Sequence, residues 1–185
     1  MVSVGRLANQ PPYPLIPTCS YNNKSMNAPL ELTLGELLRK LGLTLAAAES
    51  CTGGLVGHLL TNVPGSSDYY LGGMITYSNQ AKAGLLGVRQ ETLEQHGAVS
   101  RETVLEMARG VRLAFDAHIG VSISGIAGPT GGTPEKPVGL VWIGLSVTGF
   151  DTAWRHQFSG ERLSVKEQSA QAALQHVIDY LQEKA

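Results

Sequence analysis

One stretch, TLAAAESCTGGL at residues 44–55, most strongly constrains what this chain can fold into. The small apolar residues at 46–48 predict a buried strand, and apolar residues recur at helical spacing from position 55 onward. The intervening TGG at 52–54 predicts a tight turn into that helix. A strand that runs directly into a helix N-terminus holds Ser50 or Cys51 beside unpaired amides and the positive end of the helix dipole. Such a turn suits an oxyanion, whereas the alternative is that Ser50 and Thr52 only cap the helix.

Length, charge and cysteine content narrow the class of protein. A chain of 185 residues with 43% hydrophobic residues can bury one sizeable core. The 14 basic and 15 acidic residues give a net charge of −1, and no basic cluster marks a nucleic-acid interface. No apolar run approaches the roughly 20 residues that span a bilayer. With only two cysteines no disulfide framework is indicated, so we expect a cytoplasmic protein that binds neither nucleic acid nor membrane.

The chain divides into an N-terminal leader and one domain. Residues 1–30 contain several prolines and asparagines, show no helical or strand periodicity, and lack the basic and apolar regions of a secretory signal. We therefore predict a flexible leader over residues 1–30 and a single domain over residues 31–185.

Within the domain, strand and helix patterns alternate and then end in a hairpin. Apolar periodicity and capping residues predict strands over 69–77, 119–126, 138–147 and 152–158 besides the one at 46–48, and helices over 32–43, 55–63, 79–86, 91–96, 101–117 and 162–181. Thr33 and Ser100 are the expected caps of two helices, and Gly149 marks the turn of the hairpin. The pattern predicts a three-layer α/β/α fold with a mixed, mostly parallel sheet and a late antiparallel hairpin.

Polar residues follow two of these strands and suggest a hydrolase without a catalytic histidine. Ser50 ends one predicted strand, and Tyr77 and Lys82 follow the end of another, so all three can converge on one sheet edge. A serine hydroxyl needs a base to take its proton, and a desolvated lysine can be neutral enough to serve. Tyr77 can relay a proton or orient the lysine. The alternative is that Lys82 is a solvated helix residue and Tyr77 a core aromatic.

Cys51 competes with Ser50 for the nucleophile role. A helix N-terminus lowers the pKa of a thiol, which favours a Cys51 thiolate, whereas a small buried cysteine facing the sheet is equally ordinary. We rank it second because no histidine has an evident reason to approach it. With either nucleophile, the backbone amides of the turn are the expected oxyanion donors, namely those of Cys51, Thr52, Gly53 and Gly54.

A second glycine-rich segment, GIAGPTGGTPEKPVG at residues 125–139, follows a predicted strand. Its backbone amides can bind a phosphate or ribose group, although a purely structural turn fits the same pattern. The candidate binding residues are Gly125, Gly128, Gly131 and Gly132. Neither the phosphate-loop nor the dinucleotide-binding fingerprint is present. The five histidines form no ligand grouping, so no metal site is predicted.

Four blocks together resemble the signature of a known family. ESCTGG at 49–54, YSNQAK at 77–82, HGAVS at 96–100 and SGIAGPTGGTPEKPVG at 124–139 are similar to the CinA C-terminal domain family, the nicotinamide-nucleotide amidases. The resemblance covers about residues 32–183. It implies hydrolysis of the carboxamide of nicotinamide mononucleotide to nicotinate mononucleotide and ammonia, in pyridine nucleotide recycling, with no metal or organic cofactor.

The resemblance also implies roles for individual residues. The family's nucleophilic serine corresponds to Ser50, its general-base lysine to Lys82 and its assisting tyrosine to Tyr77. The alternative function is a nucleotide-binding regulatory module that kept the pocket and lost turnover, and the intact Ser50, Tyr77 and Lys82 argue against it. We also expect a homo-oligomer, a dimer or larger, although no sequence feature specifies the number of subunits.

Two features depart from the family pattern. Family members often carry a preceding domain that resembles molybdopterin-binding proteins, so this chain looks like the stand-alone form. The family's GDRxxVR block reads GERLSVK here, with Glu161 and Lys166 in place of Asp and Arg. Lysine keeps the charge but not the planar, bidentate fork of arginine. A phosphate or subunit contact at position 166 is therefore in question.

Overall fold

The computed structural model describes residues 28–184, so most of the expected leader lies outside this range. The described part contains one five-stranded sheet in the order β2-β1-β3-β4-β5. Its strands are β1 (Leu45–Glu49), β2 (Tyr70–Ile75), β3 (Ile119–Gly125), β4 (Leu140–Val147) and β5 (Phe150–Gln157). Strand β1 pairs in parallel with β2 and β3, and β4 pairs antiparallel with β3 and β5. Only β4 therefore runs against the other strands, which confirms the mixed, mostly parallel sheet.

Helices cover both faces of this sheet. They are α1 (Leu30–Leu41), α2 (Leu55–Thr61), α3 (Asn79–Leu86), α4 (Gln90–His96), α5 (Arg101–Ala114) and α6 (Arg162–Lys184). One apolar core joins α1, α2 and α6 to one face of the sheet, and a second core joins α3, α4 and α5 to the other face. The three-layer α/β/α architecture predicted from the sequence is confirmed. No helix between residues 28 and 184 is both long and apolar enough to cross a membrane.

Small residues let helix α5 lie unusually close to the sheet. A Cβ atom added to Gly120 would lie 2.1 Å from the carbonyl oxygen of Ala108, and one added to Gly144 would lie 2.5 Å from that of Val104. Between them, the Ser122 hydroxyl donates a 2.6 Å hydrogen bond to the same Val104 carbonyl. Side chains larger than these would push α5 away from the sheet and move the segment before it, which borders the site described below.

Most element boundaries agree with the sequence patterns, and one cap does not. Ser100 caps α5 by accepting a hydrogen bond from the Thr103 amide, and Gly42 ends α1 in a left-handed conformation. The prediction that Thr33 caps α1 is wrong, because the helix begins at Leu30 after Pro29 and Thr33 lies inside it. Proline fixes its own φ and tolerates the first turn of a helix, so it starts this helix without a side-chain cap.

Candidate active site

The candidate site lies where the carboxyl ends of β1, β2 and β3 meet. The connection from β1 leads to β2 on one side, and β3 lies on the other side, so this is the point where ligands bind in open α/β sheets. Backbone pairing continues past the strand ends: the Ser50 amide donates to the Ile123 carbonyl at 3.0 Å, and the Thr76 amide donates to the Glu49 carbonyl at 2.8 Å. The peptide unit that joins Glu49 to Ser50 is therefore held on both sides by neighbouring chain segments.

Glu49 fixes the turn that follows Ser50. Its buried carboxylate accepts three hydrogen bonds of 2.9–3.1 Å, from the amides of Gly54, Val56 and Gly57. These are donors that a helix N-terminus otherwise leaves unpaired. The cap of α2 is thus supplied by the strand before it, whereas the alternative in which Ser50 caps the helix is not what the structure shows. The sequence analysis missed this role of Glu49.

Ser50 and Lys82 form a buried pair. The Lys82 side-chain nitrogen lies 3.0 Å from the Ser50 hydroxyl oxygen and donates a 2.8 Å hydrogen bond to the Thr76 carbonyl. Lys82 is only 1% exposed, and this desolvation lowers its pKa from the ordinary 10.5. The alternative of a solvated Lys82 is wrong, because the first turns of α3 direct this side chain inward. A lysine whose pKa is lowered in contact with a hydroxyl has the properties of a general base.

Cys51 is buried beside this pair but is not activated. Burial raises the pKa of its thiol to about 11, even though the backbone amides of Cys51 and Thr52 and the charge of Lys82 act in the opposite direction. The sequence-based alternative of a Cys51 thiolate is therefore contradicted, because desolvation outweighs the N-terminal end of α2. At neutral pH Cys51 is a protonated thiol, which is a poor nucleophile.

The turn offers fewer oxyanion donors than the sequence suggested. The Gly53 amide donates to the Ser50 carbonyl, and the Gly54 amide donates to Glu49. Neither glycine lines the pocket, and neither does Thr52. Of the four amides expected to face a ligand, those of Gly53 and Gly54 are thus already paired, and those of Cys51 and Thr52 remain as candidates, although only Cys51 lines the pocket.

A pocket of about 270 Å³ opens in front of Ser50. Five segments line it, with the residues Ser50, Cys51, Tyr77, Lys82, Ala98, Val99, Ser124, Gly125, Ile126, Ala127, Gly128, Thr130, Gly131 and Arg162. Three of the four glycines predicted from the second glycine-rich segment, Gly125, Gly128 and Gly131, thus reach the pocket. Gly132 does not, since it packs against Val138 instead. Among residues 28–184 no group of three or more histidine, cysteine or acidic residues could hold a metal ion.

Comparison with known proteins places the chain in a family. The sequence model of the CinA C-terminal domain matches residues 27–181. The chain belongs to this family. A CinA-like protein from Salinibacter ruber is 53% identical over 146 residues, which are 79% of this chain and 35% of that protein. A CinA-like protein from Kosmotoga olearia is 52% identical over 148 residues, 80% of this chain and 36% of that protein. The chain thus spans about a third of the curated relatives it matches.

Solved structures of CinA proteins share the fold. A CinA superfamily protein from Klebsiella pneumoniae superposes with a TM-score of 0.81 at 35% identity, over 83% of this chain and 96% of that chain. A competence/damage inducible protein from Agrobacterium tumefaciens gives a TM-score of 0.78 at 37% identity, over 85% and 98% of the two chains. The CinA C-terminal domain is therefore nearly the whole of those solved chains.

Within this CinA domain, Tyr77 pairs with an arginine that the sequence analysis missed. Arg162 begins α6 and donates a 3.0 Å hydrogen bond to the Tyr77 hydroxyl and a 2.9 Å hydrogen bond to the Gly128 carbonyl. The Tyr77 side chain is 63% exposed, so it is not a core aromatic, and no hydrogen bond joins it to Lys82 in the described part of the chain. Arg162 lies in the GERLSVK block, in which the sequence pattern had pointed only to Glu161 and Lys166.

Hydrogen bonds hold the part of the CinA pocket that Ala98 and Val99 line. Lys136 donates hydrogen bonds of 2.6 and 2.9 Å to the carbonyls of His96 and Val99, and the Ser124 hydroxyl donates one of 2.7 Å to the Ala98 carbonyl. The glycine-rich segment thus holds the HGAVS segment in place through these three hydrogen bonds. Lys166, by contrast, lies beside Gly53 and does not line the pocket.

Proposed function

We propose that this CinA domain hydrolyses the carboxamide of nicotinamide mononucleotide to nicotinate mononucleotide and ammonia, with Ser50 as nucleophile and Lys82 as general base. The observation that carries this proposal is the 3.0 Å contact between the Ser50 hydroxyl and a lysine that is 1% exposed. The identity of the substrate rests on the resemblance of the four sequence blocks to the nicotinamide-nucleotide amidases. The buried pair supplies the chemistry that such an amidase needs.

The reaction proceeds in two halves. Neutral Lys82 takes the proton of Ser50 as the serine oxygen bonds to the carboxamide carbon, and the resulting ammonium gives that proton to the departing ammonia as the C–N bond breaks. Water then attacks the acyl-serine, giving a proton to Lys82. That proton returns to Ser50 when the ester bond breaks, so the enzyme is restored. The amides of Cys51 and Thr52 are the donors proposed for the oxyanion in both halves.

Recognition of the phosphate is assigned to Arg162 and the glycine-rich loop. Arg162 lines the pocket and donates to the Gly128 carbonyl of this loop, and Thr130 and Gly131 of the loop line the pocket as well. A guanidinium with a planar fork and exposed backbone amides is a common arrangement for binding phosphate. In this proposal Arg162 and the loop hold the 5′-phosphate while the pyridine ring reaches Ser50.

Release of ammonia from nicotinamide mononucleotide by the purified protein tests the proposal directly. We expect turnover by the wild-type chain, no change on addition of EDTA, and at least a 10³-fold loss in Ser50→Ala, since the nucleophile is absent. The nucleoside without phosphate should be a much poorer substrate. If the folded protein binds the nucleotide but releases no ammonia, the regulatory-module alternative is correct and the amidase assignment is wrong.

A further inference from the structure

Strand β5 leaves one edge of the sheet open. It pairs only with β4, so its other edge meets no strand within residues 28–184. The hairpin pairs Val147 with Phe150 across two turn residues, and the Phe158 amide donates to the Gly139 carbonyl at 2.9 Å. In an antiparallel ladder this makes the even-numbered residues of β5 the ones bonded to β4. The amides and carbonyls of Asp151, Ala153, Arg155 and Gln157 therefore point to the open edge.

Natural proteins protect open edges with short strands, prolines, bulges or inward charges, because an open edge readily pairs with another strand. Strand β5 is eight residues long, contains no proline and pairs with β4 without a register shift. Its two charged residues are of opposite sign, Asp151 and Arg155, separated by four positions. Because side chains alternate along a strand, both lie on the same face, and Ala153 lies midway between them.

We propose that this edge pairs with β5 of a second copy of the chain around a two-fold axis at Ala153. In this register Asp151 lies opposite the partner's Arg155, and Arg155 lies opposite the partner's Asp151. The outward-facing odd residues pair with each other, as the hydrogen bonding requires, and seven residues of each strand overlap. This register thus satisfies the hydrogen-bonding pattern, pairs opposite charges and overlaps most of the strand.

Neighbouring registers do not place opposite charges against each other. An axis at Asp151 sets two aspartates opposite each other, and an axis at Arg155 sets two arginines opposite each other, both of which are unfavourable. Axes at Thr152 or Trp154 place each charge against an uncharged residue. Only the axis at Ala153 forms two opposite-charge pairs.

The side chains on both faces fit the proposed pairing. On the α5 face, Arg109 binds only the Oδ2 oxygen of Asp151, through its Nε at 3.0 Å and one terminal nitrogen, and no partner of Oδ1 is found in residues 28–184. That oxygen is free to accept from the partner's Arg155. On the α6 face, Phe150 is 51% exposed beside a groove of about 610 Å³ between the hairpin and the end of α6. The register sets Phe150 opposite the partner's His156, so aromatic side chains of the two copies meet there.

Sedimentation of the full 185-residue chain over about 1–100 µM tests the pairing. We expect a reversible dimer of twice the 19.6 kDa chain mass. Arg155→Glu places a glutamate opposite Asp151 on both sides of the axis, so the dimer should weaken by about tenfold or more. Lys40→Glu makes the same charge change on an exposed residue of α1 and should leave association unaltered. Ammonia release should be unchanged in Arg155→Glu, because β3 and β4 separate this edge from Ser50.

Cross-linking with a short bis-maleimide tests the register. Residues paired across the axis have Cα atoms about 5.5 Å apart, so Ala153→Cys should cross-link. Gln157→Cys should not, because the two copies of position 157 would be about 27 Å apart along the strands. The wild-type chain, which contains Cys19 and buried Cys51, gives the background. The proposal fails if the wild type stays monomeric, if Arg155→Glu dimerises as well as wild type, or if Gln157→Cys cross-links as readily as Ala153→Cys.

Discussion

The Ser50 turn and the glycine-rich loop face the same pocket but are built in different ways. Around Ser50, the side chains of Glu49 and Lys82 are buried, and each is hydrogen-bonded to its neighbours. Residues 129–135 of the loop are all exposed, and Arg162 ties the loop down at the Gly128 carbonyl. One wall is fixed before a substrate arrives, and the other faces solvent.

The difference separates two tasks. A buried, hydrogen-bonded wall costs little reorganisation during reaction, so its residues should control kcat. An exposed loop held at a few points can adjust to a ligand, so its residues should control KM. Substitutions on the two walls should therefore differ in which of these two constants they change most.

The largest effect is expected from Lys82→Arg. Arginine keeps the positive charge but cannot give up its proton at accessible pH, so kcat should fall by about 10³-fold or more. Because a larger side chain can disturb this buried position, Lys82→Met provides a neutral variant of similar length. Both should still bind nicotinamide mononucleotide, measured by calorimetry, with folding checked by circular dichroism. Substantial turnover by folded Lys82→Arg would show that another group activates Ser50.

Acid should inhibit the proposed reaction through the same residue. Only neutral Lys82 can accept the serine proton, so below its lowered pKa kcat/KM should fall about tenfold per pH unit. The pKa of Lys82 is near 10.5 in the unfolded chain and lower in the folded chain, so between these two values the unfolded chain binds more protons. The free energy of unfolding should therefore rise with pH through this range and be smaller below it. Rate and thermal unfolding measured across pH check both. A rate that is flat down to the range of carboxylate titration would contradict the role of Lys82.

A smaller effect, and on a different constant, is expected from the loop wall. Arg162→Met removes the hydrogen bonds to Tyr77 and Gly128 and the cation proposed for the phosphate. KM for nicotinamide mononucleotide should rise about 10–100-fold, as for loss of a charged hydrogen bond, with a smaller change in kcat. Tyr77→Phe, which removes only the hydroxyl that Arg162 contacts, is the matched control. An equal loss on nucleotide and nucleoside would exclude Arg162 from phosphate binding.

The smallest effect is expected at Cys51, the residue next to the proposed nucleophile. Cys51 is a buried thiol whose pKa is raised to about 11, so Cys51→Ala should keep turnover within about threefold of wild type. A slight loss of thermal stability should accompany it, because a sulfur atom leaves the core. Ammonia release and melting temperature measure the two effects. An inactive, folded Cys51→Ala together with an active Ser50→Ala would reverse the assignment of the nucleophile.

Much of this site follows from local sequence. The alanines of β1, the CTGG turn, the Ser100 cap and the hairpin at Gly149 were all predicted, because each depends on residues within a few positions of one another. The contacts of Glu49 were missed, although they are also local, because a carboxylate that ends a strand gives no periodic signal. A glutamate directly before a Ser-Cys-Thr-Gly-Gly turn is a signal that could have been used.

The sequence by itself determined the order of strands and helices, the buried strand before Ser50 and the residue types able to carry an amidase reaction. Only the tertiary structure decided that Lys82 lies inside the protein against Ser50, that Cys51 remains a thiol, and that Arg162 reaches Tyr77 from 85 positions away. The reason is physical. Periodicity reports which face of an element is apolar, whereas desolvation and hydrogen bonding depend on which atoms from distant segments exclude water from one another.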